Sequence, residues 1–182
     1  MAAAIKPPVF KIAYLGPKYW GVWIGAGLLY LLLWLPLPVI RVLGAGAGRL
    51  IARIVPKRVA VARRNLELTY PHMCESERES LLKENIRCTG MALFETGMGW
   101  WWPAWRVKKH FHVEGYEHVE AALAGGKGVF GMALHNMNLE IACRGLGYTH
   151  PAIAFYRKHD NPLMDYLQYH GRARSNKYMI HK

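Results

Sequence analysis

Between Lys18 and Arg41 the chain carries 22 consecutive uncharged residues, YWGVWIGAGLLYLLLWLPLPVI. As a helix, such a run is long enough to cross the roughly 30 Å hydrocarbon layer of a bilayer, and a small domain rarely needs so long a charge-free core helix. It predicts an N-terminal membrane-anchoring helix, with residues 1–42 as the anchor and 43–182 as the body of the protein. Pro36 and Pro38 are expected to end or kink that helix near its far interface. A re-entrant or interfacial helix is the alternative arrangement. The run is too long and too rich in tryptophan for a signal-peptide core, and no small-residue cleavage site follows it, so it is expected to be retained. Seven Lys/Arg follow it between Arg41 and Arg64 and three Lys precede it. That bias places the rest of the chain on the cytoplasmic side.

Charge is distributed as unevenly as hydropathy. The net charge is +12, yet no acidic residue precedes Glu67, so the ten Lys/Arg of the first 66 residues supply most of it. Basicity beside an apolar anchor points to anionic membrane lipid rather than to nucleic acid, for which no basic-aromatic motif is present. The cysteines at 74, 88 and 143 are too far apart for a metal or redox motif. They are expected to be reduced and either buried or inert, and no cofactor or metal is indicated.

Leu43 to Leu68 mixes Gly and Ala with regularly placed arginines, a pattern that suits an amphipathic helix on anionic lipid. The GAGAG run at 44–48 lacks both the dinucleotide-binding register and a Walker lysine, so it reads as small-residue helix packing. Ser76 followed by Glu79 predicts a capping box, and Leu81, Leu82, Ile86, Met91, Leu93 and Phe94 then recur at helical spacing through about Met98. WWWPAW (100–105) suits either a core stack or an interfacial aromatic patch. Downstream, helices are expected at Tyr116–Ala124, Asn138–Leu146 and Pro162–Tyr169, and strands at Val129–Leu134 and Ala152–Tyr156. This rhythm predicts an α/β fold: a mixed, partly parallel sheet flanked by helices, behind the N-terminal anchor.

One strand exit carries chemistry. In GVFGMALHNMNLE (128–140) the apolar run ends at His135, and Glu140 follows five positions later. Nine histidines and twelve acidic residues give about 0.6 chance occurrences of this spacing, and the chain contains three. His72/Glu77 sits at a turn entering a helix and His112/Glu117 in a charged segment. Only His135/Glu140 follows a strand pattern, against the plain alternative of a loop histidine near a helix start. Residues five apart on one helix are separated by about 140°. The two can therefore meet only if His135 precedes the helix and Glu140 lies in its first turn. Glu140 would then fix the imidazole tautomer while the other ring nitrogen takes a proton from a hydroxyl. No Ser or Cys stands in a nucleophile motif, which favours direct attack by a substrate hydroxyl.

RRNLEL (63–68), GMALFETGMGWWWP (90–103), HNMNLE (135–140), FYRKHDNPLMDYLQ (155–168) and GRARSNKYMI (171–180) together resemble, in serial order, the bacterial lipid A late acyltransferases, most closely the lauroyl type. The resemblance covers nearly the whole chain. It implies a fold like that of the glycerolipid acyltransferases and His135/Glu140 as the catalytic pair. It also implies acyl carrier protein as donor of a lauroyl-type chain and a Kdo-bearing lipid A precursor at the inner membrane as acceptor. Arg172 matches a family arginine tied to activity. Arg174, Lys177 and, in the YR pair, Arg157 are further candidates for contact with an anionic substrate. Family members run on well past the length of this chain, so the resemblance implies an N-terminal portion. A glycerophosphate acyltransferase is the nearest rival, although that group has Asn before the His and Asp at the end of the motif. The other rival is a membrane-bound fragment without catalysis.

Overall fold

The computed structural model describes residues 6–126, 128–134, 136–148 and 152–181. Most of these are helical, and the described strands form one small parallel pair. The described residues divide into two compact units, one drawn from Met1–Gly25 and Met98–Lys182 and the other Ala26–Gly97.

The uncharged run does not become one spanning helix. Two 3-10 turns, Ile12–Leu15 and Pro17–Tyr19, lead into α1, Trp20–Leu32, which has 13 residues and so a length of about 20 Å. Beyond it, Trp34 and Leu35 bond back to Leu31 and Leu32 in three-residue turns, and α2 (Leu37–Ile54) starts afresh with Pro38 in its first turn. The two prolines stand 18th and 20th in the 22-residue run, near its end as expected, and the helix stops before them, because Pro suits a helix start and cannot continue one. Among the described residues no helix is long and apolar enough to cross a membrane. The apolar character remains: Trp20, Ile24, Leu28 and Leu31 recur on one face of α1, and all are exposed.

In the second unit, α2 is followed by α3 (Pro56–Thr69), and most of α4 (Glu75–Trp101) belongs there too. The region expected as one amphipathic helix is thus two, broken where Val55 precedes Pro56. The glycines pack helices, as their spacing predicts. A Cβ on Gly90 would lie 2.0 Å from the Gly44 carbonyl oxygen, and one on Gly48 would lie 2.2 Å from that of Ile86. Only hydrogens fit between these backbones. Leu33, Ile40, Leu82, Met91 and Phe94 are buried in this unit. The start of α4 lies earlier than Ser76 implies. The Glu77 carboxylate accepts a bond from the Cys74 N–H at 2.9 Å, giving the reciprocal half of a capping box one residue before the helix. Glu79 is paired instead with Arg63 on α3.

In the first unit, α5 (Ala104–His110), α6 (Tyr116–Ala124) and α7 (Leu139–Leu146) precede β1 (Ala152–Tyr156), α8 (Pro162–Arg172) and β2 (Asn176–His181). β1 and β2 are parallel, joined through α8, and Phe155 stands opposite Ile180. The Asn161 side chain accepts from the N–H groups of Leu163 and Met164, capping α8 with Pro162 at its first position. Tyr156, Tyr169 and Met179 form a buried cluster between sheet and helix. Phe10 and Tyr14 reach Tyr166 of α8 edge-on or tilted, so the N-terminal segment lies on that helix.

One expectation changes and two are refined. Val129–Leu134 is not a strand, and Phe130, Met132 and Leu134 are each at least 80 % exposed. Its apolar sequence is competent for a strand, but among the described residues β1 pairs only with β2 and this segment joins no ladder. The tryptophan cluster splits its roles: Trp100 and Trp102 are buried, whereas Trp105 is exposed. Cys74 and Cys143 are exposed, and all three cysteines are free thiols.

Candidate active site

Close approaches at three glycines bring the end of α4, both ends of α7 and the end of α8 together. A Cβ on Gly99 would lie 2.9 Å from the carbonyl oxygen of Glu140, and one on Gly171 would lie 2.3 Å from Cγ of Trp100. One on Gly147 would lie 2.3 Å from the carbonyl oxygen of Ser175. A methyl group at any of these positions would force the helices apart.

At that junction stands Glu140, in the first turn of α7, where the helix dipole favours a carboxylate. Arg172 Nε donates to Oε1 at 3.0 Å and to Oε2 at 3.1 Å, and Nη2 also donates to Oε1. Trp100 Nε1 donates to Oε2 at 3.1 Å. The Glu140 side chain is 17 % exposed and that of Arg172 27 %. Burial alone would lower the Arg172 pKa, but its bonds and charge attraction to Glu140 outweigh this and raise it, so the guanidinium stays charged. Arg172 also lies over the Tyr156 ring, 5.8 Å from its centroid. Tyr156 in turn donates to Asp165 Oδ1 at 2.6 Å. Burial first, and then Asp165, push the tyrosine pKa well above its ordinary value.

A cavity of about 110 Å³ opens beside the pair, lined by Trp100, Glu140, Cys143, Phe155, Arg172 and Asn176 among others. It has room for a few water molecules or one small group. The thiol of Cys143 is partly withdrawn from water, and this, followed by the Glu140 charge, pushes its pKa up despite the opposing effect of Arg172.

The sequence-derived residues fall at different places. His135 lies outside the described residues. Glu140 occupies the first helical turn that the spacing argument requires. Arg172 meets Glu140 directly. Arg174 donates to the Trp100 carbonyl oxygen at 2.7 Å, satisfying a free acceptor at the end of α4, and its own carbonyl accepts from Arg144. Lys177 on β2 is exposed over the Tyr178 ring, and Arg157 is exposed just past the end of β1. Neither of these two lines the cavity. Sequence reasoning missed Trp100 as a partner of Glu140, since a tryptophan run reads as packing surface and gives no sign of which indole N–H turns inward.

The chain matches, over residues 8–182, the sequence model described as bacterial lipid A biosynthesis acyltransferase. It belongs to that family. It is 43 % identical over 173 residues to the lipid A biosynthesis lauroyltransferase of Escherichia coli K12, covering 95 % of this chain and 56 % of the relative. It is 45 % identical over 177 residues to a lipid A biosynthesis acyltransferase of Haemophilus influenzae, covering 96 % and 56 %. Against the lipid A biosynthesis palmitoleoyltransferase of E. coli K12 the identity is 44 % over 171 residues, covering 94 % and 56 %. The chain spans about half the length of the curated relatives it matches. No solved structure matches it.

Proposed function

We propose that this chain carries the base-and-carboxylate portion of an acyltransferase that moves a fatty acyl group from acyl carrier protein to a hydroxyl of a Kdo-bearing lipid A precursor. His135 takes the proton of that hydroxyl as its oxygen bonds to the thioester carbonyl carbon. The carbon–sulfur bond then breaks, and the departing carrier thiolate receives the proton. Glu140 orients the imidazole and stabilises the imidazolium. Such general-base help is worth about 10² to 10⁴ in rate.

The observation that carries this reading is the Glu140 carboxylate, held at the entrance of α7 by Arg172 and Trp100. A carboxylate fixed on two sides can orient a third group. Arg172 thereby acts as a positioning residue for Glu140, and the exposed Lys177 and Arg157, with Arg174, are assigned to the anionic acceptor or the acidic carrier. The site of action is the cytoplasmic face of the bacterial inner membrane. Support for that comes from the exposed apolar face of α1, which suits an interfacial helix. Relatives named for lauroyl and for palmitoleoyl transfer are equally similar, and the lauroyl donor is proposed on the sequence resemblance.

The test is transfer from lauroyl-carrier protein, with palmitoleoyl-carrier protein in competition, to a tetra-acylated Kdo lipid A precursor. Membranes bearing the chain supply the enzyme. His135→Ala is expected to lower the rate at least a hundredfold with membrane association intact. A variant keeping more than about a tenth of the rate removes His135 as the base.

A further inference from the structure

The largest cavity described lies far in sequence from the candidate active site. It is a groove of about 730 Å³ between α2 and the first half of α4, floored by Ala45, Ala52 and Ile86. Its origin is local. Where Gly44 and Gly48 meet Gly90 the backbones touch, and beyond that contact larger side chains stand apart and leave a trough.

The rim of the trough is cationic. Arg49 and Arg53 are one turn apart on α2, Lys83 and Arg87 one turn apart on α4, and Glu84 is the one acidic residue lining the groove. Glu84 is already bonded to Arg87 at its Nε, 2.8 Å, and Nη2, which holds that guanidinium on the rim. The groove therefore keeps a net charge of +3. Beside Arg49 and Arg53, the outward strip of α2 shows Val42, Leu50 and Ile54, exposed by 72, 58 and 68 %.

We infer that this groove seats the phosphate of an anionic membrane lipid, with α2 lying in the plane of the interface. An acidic soluble partner would account for the cations alone. Only a bilayer accounts for both the cations and the bare aliphatic strip beside them, because phosphates and acyl chains meet at that depth. Glycines that pack α2 against α4 thus also build the lipid seat. The inference rests on the reading of the chain as an enzyme of the membrane surface.

The experiment is co-sedimentation of the full chain with vesicles of phosphatidylcholine alone or with one-third phosphatidylglycerol. The variants are Arg49→Gln with Arg53→Gln, and a control of equal charge change outside the groove, Lys57→Gln with Arg58→Gln. The groove variant is expected to lose about 25-fold in partition to anionic vesicles, roughly fivefold per cation, with neutral-vesicle binding unchanged. The control is expected to lose clearly less. Equal losses for both variants overturn the lipid seat while leaving the membrane-surface reading standing. Absence of binding to either vesicle overturns both. Loss of acyl carrier protein binding in the groove variant with vesicle partition unchanged reassigns the groove to the carrier.

Discussion

Removing Arg172 tests the geometry on which the functional proposal depends. In Arg172→Met the aliphatic stem keeps its packing, but Glu140 loses its nearest cation and retains only the Trp100 N–H among the partners described above. Stripping one partner from a fully buried pair costs about 3–5 kcal/mol, whereas a pair in open solvent contributes about 0–1. With side chains 17 and 27 % exposed, this pair sits between those limits, and about 2 kcal/mol is the expected loss. For a chain of this length that corresponds to a fall of about 4–8 °C in Tm. Adding Glu140→Gln to Arg172→Met is expected to recover about 1 kcal/mol, since an amide at that position is less costly to desolvate than an unpaired carboxylate. Urea unfolding followed by tryptophan fluorescence, run on the wild type, both single variants and the double, yields the coupling energy directly. A coupling below about 0.5 kcal/mol would refute the ion pair as the element that holds Glu140.

Two further outcomes follow from the packing and from the buried tyrosine. Gly90→Ala places a methyl group 2.0 Å from a backbone oxygen that cannot rotate away, so it should cost at least about 3 kcal/mol by urea unfolding, and an unchanged midpoint would show that α2 and α4 do not touch there. Tyr156 has a folded pKa raised above its unfolded value of about 10, so the stability this adds is complete below pH 10 and is lost as pH climbs toward the folded pKa; Tyr156→Phe should flatten the alkaline fall in a stability–pH profile, and identical profiles would refute the buried Tyr156–Asp165 bond.

Much of this architecture is legible in sequence because it depends on local chemistry. Periodicity and end signals locate Tyr116–Ala124 and Ala152–Tyr156 to the residue, and α7 and α8 to within a few residues. The GAGAG run predicts close helix packing because only glycine lets two backbones touch, and Gly44 and Gly48 do meet Gly90. The five-residue spacing requires Glu140 in the first turn of a helix, and there it lies. The order of the motifs is enough to place the chain in its family.

Tertiary structure decided the rest, wherever an outcome depends on a partner distant in the chain. Val129–Leu134 has a strand's composition, but a strand exists only if a neighbour offers its ladder, and hydrophobicity does not encode that neighbour. The family resemblance marked Arg172 as an arginine tied to activity and Arg174 as a candidate contact for an anionic substrate. One grips Glu140 and the other closes the end of α4, a difference set by helix packing through Gly99, Gly147 and Gly171. Sequence determines which groups can ionise, turn or pack within a few residues of one another. Which carboxylate meets which guanidinium across 32 residues is decided only when the helices dock.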